Sequence, residues 1–334
     1  MKKNLTISIA AYNVEQYLDK TLESLIIDNI DKLEVLIVND GSKDNTKRIT
    51  KKYCKKYPDT FKLIDKENGG YGSTINAGIE HASGKYFKQL DGDDWYDSDN
   101  LNKLVEDIEC IDSDVIYTPF VTCFEANGNK EINKNPITKY SNYKYEIEKI
   151  IGDSGILYMH NLAFKTKMLK NNGIRIDEQC FYTDTEYVAL PFMCANTIHV
   201  LDYPVYMYRI GREGQSVSVI GRRKHWKDHQ KMSYTLINSY KSQVEKLDTN
   251  KKNFYDNYLA SIFASGIGNY LMTLEATKEN YDLIQKYDED IKKISMNIYE
   301  LMPKYSKAVS IIRKKSYLIY TILATYKHLR WRKK

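Results

Sequence analysis

Four consecutive residues, Asp91-Gly92-Asp93-Asp94, bring three carboxylates together directly after a strand-like run at residues 85–90. Side chains two positions apart in a strand point the same way, so Asp91 and Asp93 are expected to face one ligand, which the glycine between them lets approach the backbone. Paired carboxylates suit a divalent cation, Mg²⁺ or Mn²⁺, that bridges diphosphate oxygens. The alternative is an acidic helix N-terminus, because a predicted helix follows the cluster and favours carboxylates there.

A further carboxylate, Asp40, lies in the turn sequence 39–42 after a second strand-like run at residues 34–38. At a strand end it can accept hydrogen bonds from a nucleotide base or ribose, but Asn-Asp-Gly-Ser also favours a tight turn whatever the function. The loop at residues 67–72 lacks the lysine and spacing of a P-loop and the glycine pattern of a dinucleotide fold. Taken alone, that loop predicts a flexible turn.

The elements that must position these residues alternate between β-branched runs and amphipathic stretches, which is typical of βαβ units around a mostly parallel sheet. The predicted strands are residues 6–11, 34–38, 61–64 and 85–90, and helices follow the first three, the first of them capped by Asn13. Ligands bind outside the carboxyl ends of such strands, so the Asp40 turn, the Gly69-Gly70 loop and the Asp91 cluster are expected to share one cleft.

The second half of the chain is less regular. It predicts a strand over about 114–124, another at 161–164, a helix over 183–195 and a late strand at 205–209. From about residue 222 onward the pattern is helical, which predicts a boundary near residue 220.

Six segments, in this order, make the sequence similar to glycosyltransferase family 2, which has the GT-A fold. The matching segments are Ala11-Tyr12-Asn13-Val14-Glu15-Gln16-Tyr17-Leu18, Val38-Asn39-Asp40-Gly41-Ser42-Lys43-Asp44-Asn45-Thr46, Asn68-Gly69-Gly70, Asn76-Ala77-Gly78-Ile79, Ala82-Ser83-Gly84-Lys85-Tyr86 and Leu90-Asp91-Gly92-Asp93-Asp94-Trp95. The resemblance implies an α/β, Rossmann-like GT-A domain over residues 1–220, with a mostly parallel central sheet flanked by helices. Its nucleotide-binding half covers about 1–120 and its acceptor half about 121–220, and residues 221–334 form a C-terminal helical extension.

The family pattern implies a donor site for a nucleotide diphosphate sugar. Ala11 and Tyr12 would line the base pocket, Asp40 would contact the base, and Asp91 would meet the ribose or the metal. Asp93 would be the principal ligand of Mn²⁺ or Mg²⁺. The matching Asn68, Gly69, Gly70 and Gly92 are assigned to the same donor site.

Inverting members of the family carry an aspartate as catalytic base at the start of a later helix, and Asp184 in residues 182–186 matches it. It would take the proton of an acceptor hydroxyl as that oxygen attacks the anomeric carbon in line. Without the resemblance, a helix cap or an acid in the first helical turn is favoured. Arg209 and Arg212 could reach the diphosphate or equally be surface arginines, and His160 is not predicted to be a ligand.

Two departures from the family pattern limit what can be transferred. The frequent proline before Ala-Tyr-Asn is Ala10 here, which alters the strand end but not the chemistry. The common Ala-Arg-Asn becomes Thr74-Ile75-Asn76. A basic residue that can face the donor is therefore missing, and sugar or nucleotide preference cannot be copied from members that keep it.

The composition of the chain indicates its cellular compartment and shows a basic segment at residues 301–334. Five widely spaced cysteines without a C-x-x-C pair indicate reduced thiols, and no export signal begins the chain, so a cytoplasmic protein is predicted. Residues 301–334 contain ten Lys/Arg and no Asp/Glu, and their longest uncharged run has 11 residues, against roughly 20 needed to span a bilayer.

This amphipathic tail, 304–334, predicts either peripheral contact with the inner face of a membrane or a helix packed on the body with a solvated basic end. Nucleic acid is not an expected partner, because no recognised nucleic-acid-binding module accompanies the charge.

The predicted activity is inverting transfer of a sugar from a nucleotide diphosphate sugar, expected to be a UDP-sugar, to a cell-surface polysaccharide or lipid-linked oligosaccharide. Two other classes compete with it. A nucleotidyltransferase on a related fold would release pyrophosphate instead of a nucleoside diphosphate. A non-catalytic sugar- or membrane-binding protein would keep the fold without turnover, although the intact acidic residues argue against it.

Overall fold

A computed structural model describes residues 2–211, 221, 224–314 and 316–331, with residues 327–331 described by their backbone alone. Contacts divide the chain into two compact units, Met1–Arg212 and Glu213–Lys334, and each is described by itself. The predicted boundary at about residue 220 lies outside the described residues.

The first unit contains the strands. Their bounds are β1 (Leu5–Ala11), β2 (Leu33–Asp40), β3 (Phe61–Lys66), β4 (Tyr86–Asp91), β5 (Trp95–Tyr96), β6 (Val115–Tyr117), β7 (Phe120–Phe124), β8 (Lys130–Asn133), β9 (Tyr143–Glu146), β10 (Leu162–Lys165), β11 (Thr197–Val200) and β12 (Tyr206–Ile210). An eight-stranded sheet has the order β3-β2-β1-β4-β10-β6-β11-β9, and a four-stranded sheet has the order β5-β12-β7-β8.

The half of the large sheet that carries the predicted cleft is parallel. β1 runs parallel to both β2 and β4, and β2 runs parallel to β3, whereas β10 is antiparallel to β4. Every residue of β2 is buried, because a parallel strand is covered on both faces and therefore carries a continuous apolar run. The predicted α/β class, with a mostly parallel central sheet and a C-terminal helical region, is confirmed.

Helices of the first unit follow the strands as the sequence predicts. They are α1 (Leu18–Glu23), α2 (Thr46–Lys56), α3 (Tyr71–His81), α4 (Ser98–Cys110), α5 (Ile147–Ile150), α6 (Thr166–Asn171) and α7 (Thr183–Cys194), with 3₁₀ helices at Ile30–Lys32, Pro136–Tyr140, Ile151–Asp153 and Met159–Asn161. α3 packs on β1 and β2, and α2 packs on β3. The helix predicted over 183–195 is confirmed as α7.

Two local predictions are wrong. Asn13 does not cap α1, which begins after Tyr17; Asn13 has a left-handed backbone (φ 51°), and its Oδ1 accepts a hydrogen bond from Lys43 N at 2.8 Å. The single strand predicted over 114–124 is two strands in different sheets, β6 and β7. Between them, Pro119 has no N–H to give to a ladder, and Thr118 N bonds instead to Asn161 O at 2.8 Å.

The second unit is helical throughout its described part. Its helices are α8 (Trp226–Gln243), α9 (Thr249–Thr273), α10 (Lys278–Ile294), α11 (Met296–Tyr305), α12 (Lys307–Ile312) and α13 (Tyr317–Trp331), with a 3₁₀ helix at Val244–Lys246. α9 contacts each of the others and buries Leu259, Phe263 and Tyr270, and the Asp248 side chain caps its first turn. Among the described residues, no helix has the length and apolar character needed to span a membrane.

Candidate active site

The carboxyl ends of three parallel strands meet at one edge of the large sheet. Ala10 of β1 pairs with Asp91 of β4, and Ala11 pairs with Asn39 of β2, so the ends of these strands lie side by side. Asp40, at the end of β2, pairs with Lys66 of β3. The predicted convergence of the Asp40 turn and the Asp91 cluster at this edge is confirmed.

The acidic cluster is a tight turn and not a continuation of the strand. β4 ends at Asp91, and Asp94 N donates to Asp91 O at 3.0 Å. The expectation that the strand period of two aligns Asp91 with Asp93 is therefore wrong, because Asp93 lies beyond the strand.

Gly92 packs against the end of β1, and the predicted approach of a ligand to its backbone stays a prediction. A Cβ on Gly92 would lie 2.7 Å from Ala10 O and 3.0 Å from Val14 Cγ2. The close approach that requires glycine is made by the end of β1, so Gly92 lets the acidic turn pack against the neighbouring strand.

Asp94 anchors the turn to β12. It is 2% exposed, its Oδ2 accepts from Tyr206 Oη at 2.6 Å, and its Oδ1 accepts from Arg209 N at 2.7 Å. Burial, followed by the charges of Asp91 and Asp93, raises the pKa of Asp94 well above its ordinary value. Asp94 is a site residue to which the sequence reasoning assigned no role.

Tyr71, the first residue of α3, closes over the other end of the turn. Its hydroxyl donates to Asp91 Oδ1 at 2.5 Å and lies 3.1 Å from Met159 Sδ. Burial and the adjacent Asp91 carboxylate raise the Tyr71 pKa well above its usual value, so Tyr71 remains a hydrogen-bond donor at neutral pH. The sequence carries no local signal for this contact, because the two residues are 20 positions apart.

Asp91, Asp94 and His160 form a group that fits a divalent cation. Each offers one ligand atom, and these atoms lie within 4.8 Å of one another. His160 is 8% exposed, its Nδ1 has no hydrogen-bond partner in the described part of the chain, and burial lowers its pKa to about 3, which keeps the ring neutral. Two carboxylates and a neutral imidazole are suitable Mn²⁺ ligands, whereas Mg²⁺ prefers oxygen. Asp93 lies outside this group, so its role as metal ligand stays a prediction.

Asp40 organises the loop that follows β3. Its carboxylate accepts hydrogen bonds from Gly69 N and Gly70 N, both at 2.9 Å, and from Lys66 Nζ at 2.7 Å. Asn68 Nδ2 donates to the main-chain oxygen of Asp40 at 2.9 Å. Four groups of the predicted donor site are thus one hydrogen-bonded unit, and the contact of Asp40 with a base stays a prediction.

Two residues at the end of β1 were assigned to the base pocket. Ala11 is 1% exposed, whereas the Tyr12 ring is 49% exposed beside it. An exposed aromatic ring at this edge is free to stack on a planar base, which agrees with the assignment without testing it.

Asp184 lies in the first turn of α7, close to the acidic cluster. Its side chain is exposed, but the protein packed around it disfavours the charged form and raises its pKa. Burial raises the pKa of Tyr208, and the charges of Asp94, Asp91 and Asp184 raise it further. α7 also packs on the 3₁₀ helix Met159–Asn161, which carries His160. No side chain caps α7, and Asp184 accepts from backbone N–H groups of its own turn, as an acid in the first helical turn does.

The loop after β3 also contacts the segment that leads to α7. Gln179 N donates to Gly69 O at 2.7 Å, and a Cβ on Gly70 would lie 3.2 Å from Gln179 N. This packing connects the loop after β3 to the segment that carries Asp184.

The Arg209 side chain is mostly buried and is held by several contacts. Its side chain is 11% exposed, its Nε donates to Asp93 O at 2.7 Å, and its Nη1 pairs with Glu125. It also lies over the rings of Tyr17 and Trp95. Arg209 therefore holds the acidic turn in place, and its contact with a diphosphate stays a prediction. Arg212 lies outside the described residues.

Comparison with known proteins decides the family. The sequence profile of Glycosyl transferase family 2 matches residues 6–173, about half of the chain. This chain belongs to glycosyl transferase family 2.

Relatives of this family 2 glycosyltransferase include the minor teichoic acid biosynthesis protein GgaB of Bacillus subtilis (strain 168). The two are 27% identical over 253 residues, which make up 73% of this chain and 27% of GgaB, so the chain spans well under two thirds of that protein.

Two solved structures show the fold. S. aureus TarS 1-349, in complex with UDP-GlcNAc, has a TM-score of 0.69 at 20% identity and covers 96% of this chain and 90% of its own. The mannosyltransferase PcManGT from Pyrobaculum calidifontis, in complex with GDP-Man and Mn²⁺, has a TM-score of 0.50 at 16% identity, covering 100% and 89%. The likeness to TarS supports the GT-A fold.

The departure from the family at Ile75 has a structural counterpart. Ile75 is fully buried in α3, so its side chain is not accessible to a ligand. A basic group does stand at this edge: Lys66 Nζ, which bonds to Asp40 and, at 2.9 Å, to Ser73 Oγ. The family motifs do not include this lysine, and its signal in the sequence is only its position at the end of a strand.

Proposed function

We propose that this family 2 glycosyltransferase transfers a sugar from a UDP-sugar to an acceptor hydroxyl with inversion at the anomeric carbon. The observation that carries the proposal is the packing of α7, whose first turn carries Asp184, on the 3₁₀ helix that places His160 beside Asp91 and Asp94. The reaction needs charge stabilisation and a base on opposite sides of one sugar. Donor binding and catalysis are assigned to residues 1–220, with the acceptor half at about 121–220.

The leaving group is bound by the acidic turn. Asp91 and Asp93, or Asp91 with Asp94 and His160, would hold Mn²⁺ or Mg²⁺, and such an ion neutralises the charge that develops on the departing diphosphate. Tyr71 and Arg209 keep the turn in shape through their bonds to Asp91 and to Asp93 O. With this shell rigid, little reorganisation is needed during the reaction.

Asp184 is proposed as the general base. It accepts the proton of the acceptor hydroxyl while that oxygen attacks the anomeric carbon and the bond to the diphosphate breaks. One displacement inverts the configuration. Its raised pKa suits the role, since a base works best when its pKa approaches the working pH.

The donor and acceptor classes rest on the compared proteins. TarS, which shares the fold, was solved with UDP-GlcNAc and with UDP, which supports a uridine donor here. GgaB is named for minor teichoic acid biosynthesis, which supports a cell-surface polysaccharide or a lipid-linked glycan as acceptor. Such an acceptor would be met on the cytoplasmic side of the membrane.

Residues of α13 support peripheral membrane contact. Tyr320 and Ala324 are buried against the helical unit, whereas Leu318, Ile322 and Tyr326, spaced four apart on the opposite face, are 70%, 62% and 58% exposed. This apolar stripe is flanked in the sequence by basic residues, the arrangement that binds an anionic membrane surface. Both readings of the tail therefore have support: one face packs on the unit, and the other is proposed to meet lipid.

A thermal-shift screen tests the proposed activity. UDP-sugars, UDP and GDP-sugars are compared with and without Mn²⁺, because a ligand of the folded state raises the melting temperature. We expect a metal-dependent shift with one UDP-sugar, and Asp93→Ala should abolish both this shift and transfer. The exposed Asp202→Asn variant serves as the control.

A product assay separates the competing classes. Released UDP supports the transferase, whereas released pyrophosphate would identify a nucleotidyltransferase. Full activity of Asp93→Ala would reject the role of Asp93 in metal binding, and absence of any donor-induced shift would favour a protein without turnover.

A further inference from the structure

A cavity of about 280 Å³ opens on the first unit beside the acidic turn. Its lining includes Phe120, Lys134, Asn135, Ile156, Tyr158 and Asn161. These residues come from the segments that surround β8 and from the 3₁₀ helix at Met159–Asn161. None of them belongs to the donor site described above.

One aromatic ring joins this cavity to the acidic turn. The Phe120 ring, which lines the cavity, has its centroid 5.0 Å from the His160 ring. On its other side, a nitrogen of His160 lies within 4.8 Å of carboxylate oxygens of Asp91 and Asp94. The Phe120 and His160 rings therefore connect the lining of the cavity to the acidic turn.

The cavity is preformed by hydrogen bonds within the protein. Asn135, which is buried, accepts from Gly155 N at 3.2 Å and donates to Ile156 O at 3.1 Å, so its side chain joins the two segments that face each other across the cavity. Asn161 accepts from Tyr158 N at 3.2 Å and donates to Thr118 O at 3.0 Å. Little ordering is needed when a ligand binds such a site.

The chemistry of the lining suits an anionic glycan. Tyr158 and Ile156 are 47% and 56% exposed, and an exposed aromatic ring beside a buried one, Phe120, offers apolar faces for the C–H groups of a sugar. Lys134 is the single charged residue of the lining, and it has no hydrogen-bond or ion-pair partner among the described residues. No carboxylate of the described residues lines the cavity, so among them a negative group on the ligand meets only this cation.

We propose that this cavity is an acceptor subsite that binds a unit of an anionic glycan, next to the unit that receives the sugar. The sugar lies against Tyr158 and Phe120, and a phosphodiester or carboxylate of the chain lies near Lys134. The assignment rests on the proposed glycosyl transfer, which it deepens by naming the acceptor class. No covalent step takes place in the cavity itself.

Binding of defined probes tests the subsite. A glucosylated glycerol phosphate trimer, a galacturonic acid trimer and maltotriose are titrated against the full chain by ligand-observed NMR, which distinguishes phosphate, carboxylate and neutral chains. We expect at least one anionic trimer to bind. Tyr158→Ala should weaken it about tenfold or more, and Lys134→Gln should weaken the anionic probes but not maltotriose. Tyr143→Ala, which removes a 66% exposed tyrosine outside the cavity, is the matched control.

The donor-induced thermal shift is measured on every variant. An unchanged shift with weakened probe binding supports a separate acceptor subsite. A shift that is lost in Tyr158→Ala would assign the cavity to the donor, and saturable binding of neither anionic trimer to the unmodified chain would also overturn the proposal. If the unmodified chain binds an anionic trimer but shows no donor-induced shift, the proposed transferase function fails and not the cavity.

Discussion

At the scale of single residues, the aspartates of this chain differ in what surrounds them. Asp40 is buried and bonds to its own loop, and Asp94 is buried against β12. Asp184 has an exposed side chain, and desolvation by the surrounding protein raises its pKa. A carboxylate that is reachable by an acceptor and has a raised pKa is suited to proton transfer, whereas the buried ones are suited to maintaining geometry.

The raised pKa of Asp184 predicts how the rate of sugar transfer depends on pH. Only the ionised carboxylate accepts a proton, so transfer should be lost as the pH falls through the pKa of Asp184. Desolvation by the surrounding protein places that acidic limb above the ordinary aspartate value of about 4. Asp184→Asn should lower the rate about 100-fold or more and leave the donor-induced thermal shift unchanged. A pH–rate profile checks this against Asp202→Asn, and an acidic limb at the ordinary aspartate value would contradict it.

At the scale of elements, a buried lysine connects the strand that carries the acidic turn to the segment that carries His160. Lys88 of β4 is 1% exposed, and its Nζ donates to His160 O at 2.8 Å and to Leu162 O at 3.2 Å. Burial lowers its pKa to about 7. Sequence periodicity predicts the strand but gives no reason for a lysine in its buried interior.

The lowered pKa of Lys88 predicts how the free energy of unfolding depends on pH. Between about pH 7 and the ordinary lysine value of 10.5, the unfolded chain holds a proton at this position that the folded chain has lost. The free energy of unfolding should therefore rise with pH in this range, by on the order of 1 kcal/mol per pH unit, and the contribution should be constant below pH 7. Lys88→Met should remove this rise in urea unfolding at pH 7.5, 8.5 and 9.5, whereas Lys167→Met, at an exposed position, should retain it. Parallel curves for the unmodified chain and Lys88→Met would refute the prediction.

At the scale of the whole molecule, the two units carry different surface features. The first unit holds the acidic turn, the loop after β3 and Asp184, and the second presents the exposed stripe of α13. One face of α13 is buried, and its exposed face is also apolar and is therefore expected to be covered by a partner. The basic residues beside this stripe favour an anionic lipid surface as that partner.

The whole-molecule prediction is lipid binding by this stripe. The full chain should sediment with vesicles that contain phosphatidylglycerol, less so at high salt, and weakly with phosphatidylcholine alone. Changing Leu318, Ile322 and Tyr326 together to Ser should reduce the bound fraction about tenfold, while Ile132→Ser with Tyr143→Ser should not. Sedimentation velocity gives the opposing result: concentration-dependent dimers that the triple variant abolishes would show that a second copy covers the stripe.

The sequence by itself determined the elements and the edge at which they meet. The β-branched runs and the turn residues after them depend on short-range periodicity and backbone preference, so the parallel strands β1 to β4, the shared edge of Asp40 and Asp91, and α7 were predictable. The family motifs also predicted that Asp184 lies at the start of a helix, which is a local feature of the same kind.

Tertiary structure alone decided which groups the acidic residues touch. Tyr206 reaches Asp94 across 112 positions, and His160 and Tyr71 approach Asp91 from other elements. Such contacts arise from the packing of whole strands and helices, in which one added Cβ at Gly92 would already collide with β1. Residue spacing along the chain carries no information about distances of this kind. The candidate metal-binding group of Asp91, Asp94 and His160, the contacts of Arg209 and the cavity at Tyr158 were therefore visible only in the folded molecule.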